Sequence, residues 1–469
     1  MRLAADRNFR LGMILSVIDL LTFNIIYFFN RFFALSIFPE DRGNIVVSLL
    51  LSNLAYIISL QYVNISLHHR MSKPANVLNN TSRTSALFMV IYAAMLGILG
   101  YRVPGLSTSL LLIITIFIFT TIERLLLRNY IMHKRNIGRN SVSTLILGSG
   151  DMVQKVANVM TDTWNGYNLI GYFHETEADK LTNVFTNEEI SYLGNIKDLV
   201  SFIEKRHVDE LYIDNHQKDK ETMKVLLRLC EKRMIRIYYI PVSDYKEFRN
   251  ARIMEFGDVY IISQYNEPLS NVRKRIYKRT FDIVFSLLFL CTLFPIFLII
   301  TAIISKLSMP GPLFFKQKRT GYDGKDFYCY KFRSMKVNKD SDTVQATKND
   351  TRVTKWGQFM RHTNIDELPQ FINVLKGDMS VVGPRPHMLA HTDYYSDLIS
   401  DYMIRHYVKP GITGWAQTHG ERGETKTVDD MRRRVEKDIW YIEHWSFWLD
   451  IQIIFKTIGD AIHGDEKAY

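Results

Sequence analysis

Five stretches of this chain are as apolar as the interior of a bilayer, and they limit what the rest can fold into. Leu11 to Phe29, Ile45 to Val63, Ser85 to Tyr101 and Leu106 to Ile122 each run close to the ~20 residues that a helix needs to cross the hydrocarbon. They predict a block of four transmembrane helices over residues 1–135. The first run is too long for the core of a cleaved signal, and no small-residue cleavage site follows it. Arg2, Arg7 and Arg10 precede the first run, His68, His69, Arg70, Lys73 and Arg83 separate the second from the third, and Arg124, Arg128, Lys134, Arg135 and Arg139 follow the fourth. The other two loops hold Arg31 and Arg42, offset by Glu40 and Asp41, and Arg102. The bias of Lys and Arg toward the cytoplasmic face therefore places both ends of the block in the cytoplasm. Asp19 lies inside the first run, where a charge is costly, and is expected as a packing or neutral acid. No polar relay accompanies it, which argues against transport.

From Ser143 the pattern changes to short β-rich runs alternating with helical ones. Strands are expected at Ser143 to Leu147, Leu169 to Phe173, Glu210 to Ile213 and Ile235 to Ile240, and helices at Met152 to Met160, Ile196 to Arg206 and Glu221 to Arg233. This reads as a Rossmann-like α/β domain over 140–242. Gly148-Ser-Gly150 follows the first strand as a dinucleotide-binding loop would, but Val153 stands at the third glycine position. A structural or sensory domain is expected, with nucleotide binding as the other reading.

Residues 243–277 read as a polar linker, after which the fifth apolar run, Ile283 to Ile304, is interrupted by Pro295 and flanked by cations on both sides. A spanning helix would put one basic flank on the wrong side of the membrane. A helix that dips into the bilayer, bends at Pro295 and returns satisfies both flanks. Positive charge is in excess throughout, +11 by formal count, yet no groove-reading motif is present, so anionic lipid and phosphorylated substrates are the expected partners and nucleic acid is not. Cys230, Cys291 and Cys329 lack metal-ligand spacing and fit a reducing compartment without disulfides.

The densest chemistry lies in Arg361 to Gln370 and Gly377 to Pro386. Asp366 and Glu367 are adjacent acids, Pro369 restricts any helix over Phe371 to Leu375 to starting beside them, and Arg361 and Arg385 flank them. Helix N-termini and forked arginines both favour phosphate. One carboxylate among cations can attack phosphorus, and a second can carry Mg²⁺. Between the hairpin and this span, Phe314 to Met335 interleaves cations with aromatics, which suits a phosphate and a base or a membrane surface. Asp340-Ser-Asp342 looks like a metal motif but sits in a polar loop and is expected to be solvated. His362, His387, His391, His406, His419 and His444 show no metal-ligand spacing. Trp440, Tyr441, Trp445, Phe447 and Trp448 suit either the lipid headgroup zone or an amphipathic core helix.

Six ordered blocks, Lys278 to Asp282, Phe314 to Gly321, Tyr330 to Met335, Asp366 to Gln370, Gly383 to Pro386 and Lys409 to Gln417, resemble the bacterial sugar transferases, the monotopic phosphoglycosyltransferases that begin glycan assembly on a polyprenyl phosphate. The upstream segments resemble the long, multi-domain branch, and the C-terminal end is most similar to the undecaprenyl-phosphate glucose phosphotransferases of exopolysaccharide synthesis. The resemblance implies a multi-domain bacterial inner-membrane protein: four-helix transmembrane block, Rossmann-like α/β domain, and a re-entrant hairpin with a mainly helical α/β catalytic domain over 278–469. It implies transfer of a hexose 1-phosphate, with glucose expected, from a UDP-sugar to undecaprenyl phosphate on the cytoplasmic side, releasing UMP. Asp366 would be the nucleophile and Glu367 the Mg²⁺ ligand. Arg319, Lys331, Arg333, Arg361, Gly383, Pro384, Arg385 and Trp415 would contact substrate, with Trp415 closing over the nucleotide, and Pro295 would form the membrane bend. Family members often have Ser before this proline, where Phe294 stands here. A homodimer stays open, as do two other functions: a nucleotide-sugar oxidoreductase or dehydratase using the Gly148 loop, and a non-catalytic polysaccharide-assembly scaffold.

Overall fold

The computed structural model describes residues 4–32, 45–63, 74–101, 103, 105–136, 141–162, 165–175, 180–214, 220–241, 252–257, 259–309, 311–335, 352–421, 423, 425 and 427–463. Contacts gather the chain into two units, Met1–Gly194 with Glu255–Ile261, and Asn195–Met254 with Ile262–Tyr469.

The first unit begins with helices α1 (Ala4–Phe32), α2 (Ile45–Tyr62), α3 (Pro74–Ile98) and α4 (Leu106–Asn136). Leu11–Phe29, Pro74–Ile98 and Ser109–Lys134 are long and apolar enough to cross a membrane, while Val46–Tyr62 is apolar but shorter. The helices meet through aromatic rings: Phe23 stacks on Tyr56 at 4.2 Å and meets Phe88 edge-on at 5.3 Å. Asp19 is an ion-pair partner in this bundle. Arg124, which the sequence groups with the flanking cations, lies on the part of α4 that continues past the apolar run and donates to Asp19 from Nε at 3.0 Å and Nη2 at 2.7 Å. Its Nη1 reaches Thr81 on α3 at 3.1 Å, so one guanidinium ties three helices.

Next come β1 (Val142–Leu147), α5 (Asp151–Thr161) and β2 (Tyr167–Phe173), with the two strands parallel from Val142 against Tyr167 to Leu147 against Phe173. Gly150, at φ 102°, makes the turn into α5. Val153 is fully buried there, so packing takes the place that the third glycine of a dinucleotide loop keeps open.

The second unit starts with α6 (Ile196–Lys205), β3 (Glu210–Asp214), α7 (Lys220–Lys232) and β4 (Arg236–Ile240), with β3 and β4 parallel. The stretch expected as linker contains β5 (Arg252–Phe256) and β6 (Val259–Ser263), and β6 runs antiparallel to β4, Ser263 against Tyr238. Its short β-branched and aromatic run, Val259 to Ile262, is a strand signal hidden among charges.

Helices α8 (Val272–Thr292) and α9 (Phe294–Ser308) occupy the stretch expected as the hairpin and form an apolar pair bent by 52°, with Pro295 in the first turn of α9. Val284, Leu287, Leu288, Ile296, Ile299 and Ile303 are exposed along it. Phe294 is buried at the bend and stacks on Phe332 at 6.0 Å, so ring packing fastens the bend.

Lys278 and Arg279, two of the flanking cations, are turned into the protein. Lys278 Nζ donates to Asp450 at 2.7 Å and to the Val382 carbonyl at 2.9 Å. Arg279 donates to the carbonyls of Val374 and Leu375 at 2.5 and 2.8 Å, and Asp282 accepts from Ser380 Oγ and Val381 N–H at 2.9 Å each. Helix α8 is thereby latched to the backbone on both sides of the Gly377 turn.

The remainder consists of the antiparallel pair β7 (Phe314–Thr320) and β8 (Asp326–Phe332), helices α10 (Lys355–His362) and α11 (Gln370–Lys376), β9 (Ser380–Val382), α12 (Leu389–Leu398), β10 (Gly411–Thr413) parallel to β9, and helices α13 (Trp415–Thr418), α14 (Val428–His444) and α15 (Phe447–His463). The core joins Val374, Met379 and Val382 to Ile404, Tyr441, Trp445 and Ile453. Tyr441 and Trp445 therefore belong to the core, while Trp448 on α15 is exposed. Replacing Lys278 with Met should leave Asp450 buried without its cation and destabilise the protein by about 3–5 kcal/mol in denaturant unfolding, with the Lys278→Met, Asp450→Leu pair costing less than the single change.

Candidate active site

The site lies where α10 ends and α11 begins. Asn364, in the left-handed region at φ 57°, ends α10, and Ile365–Glu367 forms a 3-10 turn before Pro369 and α11. Asp366 and Glu367 are each only 7% exposed. The helix starts one residue past Pro369, as the proline requires, and the acids sit one turn earlier.

Two cations close on Glu367. Lys331 Nζ, from β8, lies 2.7 Å from Oε1, and the Arg385 fork takes Oε1 at 2.7 Å and Oε2 at 3.2 Å. Burial alone would raise its pKa, but Arg385 and Lys331 outweigh that and hold Glu367 well below the ordinary carboxylate range. Asp366 goes the other way. Burial, with the Glu367 charge added, pushes it up to about 6 against the opposing pull of Lys331, Arg361 and Arg385. The neighbours thus divide into one permanently ionised acid and one that titrates near neutrality, a split typical of paired catalytic carboxylates. The Lys331 and Arg385 side chains keep 21% and 36% exposure, enough for an anion to reach them.

Each cation is fixed from behind. Arg361, at the end of α10, donates Nε to Ser334 Oγ at 2.9 Å. Arg385 follows Gly383 and Pro384 in a segment interlocked with β10: Gly383 N–H donates to the Thr413 carbonyl at 2.8 Å and Gly411 N–H to the Pro384 carbonyl at 2.9 Å. A Cβ on Gly383 would fall 2.4 Å from the Lys409 carbonyl oxygen, so only glycine permits this approach. The Arg385 carbonyl accepts from Arg405 Nη2 at 2.9 Å, and the same nitrogen reaches Asp438 at 2.7 Å. Arg319 lies alongside, donating to Gln317 at 2.5 Å and to the Pro386 carbonyl at 3.5 Å.

Two residues expected at the site are placed otherwise. Arg333 falls just past the end of β8, is buried, and spends its guanidinium on the Pro312 carbonyl at 2.7 Å and on the Met309 carbonyl, fastening the exit from the hairpin. Trp415 is stacked by its own chain, with His419 at 3.5 Å and Trp440 at 4.3 Å between ring centres. Pro295 belongs to the bend. Asp340 and Asp342 lie outside the described residues. His387 is buried, and burial followed by the Arg405 charge lowers its pKa, so the ring is neutral.

Among the described residues no group of three or more His, Cys, Asp or Glu side chains converges on one point. Mg²⁺ commonly takes one or two carboxylates together with phosphate oxygens and water, a set that Glu367 and a bound diphosphate could supply. The donors fit, provided a metal shares oxygens now held by Lys331 and Arg385.

Asn373 is the site residue that motif reading misses. Fully buried on α11, it accepts from Tyr330 N–H at 2.9 Å and donates to the Tyr328 carbonyl at 2.7 Å, pairing the helix to β8 like an extra strand residue. It thereby sets the helix after Glu367 against the strand that carries Lys331. A polar residue inside the run Phe371 to Leu375 was the available signal. Asn373→Leu should strand two buried backbone groups, cost about 2–4 kcal/mol in thermal or denaturant unfolding, and reduce turnover in the fraction that stays folded.

Residues 273–464 match the family described as bacterial sugar transferase, and residues 68–241 one described as CoA-binding domain. A protein of Escherichia coli K12 named UDP-glucose:undecaprenyl-phosphate glucose-1-phosphate transferase is 41% identical over 328 residues, covering 69% of this chain and 68% of its own. Proteins of the same name from Xanthomonas campestris pv. campestris and Klebsiella pneumoniae are 38% and 40% identical, covering 74% and 69% of this chain and 72% and 68% of their own.

Proposed function

The chain belongs to the bacterial sugar transferase family, and we propose that it transfers glucose 1-phosphate from UDP-glucose to undecaprenyl phosphate, releasing UMP, through a covalent intermediate on Asp366. The observation that carries the chemistry is the split acid pair: Glu367 clamped by Lys331 and Arg385, and Asp366 beside it without such a clamp. A carboxylate attacks phosphorus well only when the phosphate charge is neutralised, and the cations that hold Glu367 are also placed to meet incoming phosphate oxygens.

In the first step an Asp366 oxygen forms a bond to the sugar-linked phosphorus while the bond from that phosphorus to the bridging oxygen breaks. UMP leaves with the bridging oxygen and its electron pair. In the second step an oxygen of undecaprenyl phosphate bonds to the same phosphorus, and the aspartyl oxygen leaves as carboxylate. Arg361, Arg385 and Lys331 orient and neutralise the phosphates in both steps. When bound at Glu367, Mg²⁺ would supply further neutralisation of phosphate oxygens.

The membrane reading follows the same logic. Three apolar helices of the first unit, or four with α2, would span the inner membrane, with the α/β elements forming a Rossmann-like domain in the cytoplasm. The bent α8–α9 pair would re-enter the bilayer without crossing it. Its latches to β9 and α11 support a site at the headgroup plane, where a soluble nucleotide sugar and a lipid phosphate can both arrive.

Asp366→Asn should abolish UMP release from UDP-glucose even without acceptor, and single-turnover UMP formation by that variant would refute the nucleophile. Because the reactive form of Asp366 is the ionised one and burial raises its pKa to about 6, the rate of UMP formation should fall as pH drops through about 6 and level off above it. Glu367→Gln should lower the rate and shift the Mg²⁺ titration together; an unchanged titration would remove its role toward the metal.

A further inference from the structure

We propose that Arg434 is an additional phosphate-binding residue, which together with Arg385 holds the nucleotide end of the substrate and the departing UMP. This deepens the transfer reading above and rests on it.

Arg434 lies on α14, one turn before Asp438, and residues four apart on a helix share a face. Asp438 is taken by Arg405, which also holds the Arg385 carbonyl and contacts His387. Arg434 therefore borders the same knot of side chains that positions Arg385, and the two acids that attract it, Asp438 and Glu421, are each bonded to another cation, Arg405 and Lys437. It is 6% exposed, its Nη2 donates to the Gly423 carbonyl at 2.8 Å, and its buried Nε meets no acceptor among the described residues. Burial, then the neighbouring Arg385 and Arg405 charges, push its guanidinium down to about 10.

The balance of charge is the argument. Around the Arg385 to His387 backbone stand Arg385, Arg405 and Arg434 with Arg319 beside them. Among the acids there, Glu367 takes Arg385, Asp438 takes Arg405 and Glu421 takes Lys437. His387 and His391 are both shifted down, by burial first and nearby arginines next. A buried guanidinium that shares its acids with other cations and is flanked by two further arginines favours an incoming phosphate. Glu367 already claims the Arg385 fork. A second phosphate, the one attached to the nucleoside, then has Arg434 as its natural partner, with the loop at Gly423 as the present occupant of one donor.

The test compares full-length wild type with Arg434→Gln and Arg434→Lys in nanodiscs, measuring KM for UDP-glucose, inhibition by UMP, KM for undecaprenyl phosphate, and the rise in Tm caused by UMP. Arg434→Gln should raise the KM for UDP-glucose and weaken UMP inhibition by about tenfold or more, with the acceptor KM unchanged, and Lys should recover part of the loss. Unaltered UDP-glucose KM and UMP inhibition beside a lowered kcat or Tm would overturn the assignment and leave Arg434 as packing. If the Gln variant does not fold, Lys decides: normal Tm with weakened UMP inhibition supports the assignment, and unchanged inhibition refutes it. Wild-type protein that released no UMP would defeat the transfer reading instead, and the UMP-induced Tm shift would still discriminate for Arg434.

Discussion

Two carboxylates on adjacent residues cannot both be buried unless cations are fixed against at least one of them, and the second unit of this chain is arranged around that requirement. At an effective dielectric of about 20, two like charges about 4 Å apart repel by about 4 kcal/mol. The Lys331 ammonium and the Arg385 fork remove this cost at Glu367, and Asp366 absorbs what remains as a raised pKa. Neither cation would serve if it were mobile. Lys331 is carried by a two-stranded ribbon that Asn373 ties to α11, and Arg385 by a glycine segment locked against β10 and capped by Arg405.

The hairpin enters the same economy of contacts. Arg279 takes the last carbonyls of α11, Lys278 takes a carbonyl of β9, and Asp282 takes a hydroxyl and an amide of β9. One helix thus bears on the helix that follows the acids and on the strand leading to Arg385. The position of the apolar α8–α9 pair and the geometry of the site are set by the same few side chains.

Local signals carried much of this in the sequence. The apolar runs, the β/α alternation from Val142 to Ile240 and the break at Pro295 appear where periodicity and proline chemistry place them. The acid pair with Lys331, Arg361 and Arg385 was legible because each lies in a dense motif. Long-range geometry was not. Arg333 differs from Lys331 only by lying beyond the last residue of β8, which turns its guanidinium to the hairpin exit. Trp415 looked free to stack on a base until Trp440, on another helix, took its ring. Arg124 counted as a flank charge because the apolar run stops before α4 does, and the polar surroundings of Val259 to Ile262 concealed a strand.

The central claim is chemical, that Asp366 carries a hexose phosphate between the two half-reactions. Incubating the wild-type protein with UDP-glucose in the absence of lipid acceptor, quenching in acid and mapping peptides by mass spectrometry tests it directly. The account predicts that the peptide containing Asp366 gains the mass of one hexose phosphate and loses it when undecaprenyl phosphate is added before the quench. Full turnover with acceptor, but no such adduct on this peptide at any time or pH, would contradict it.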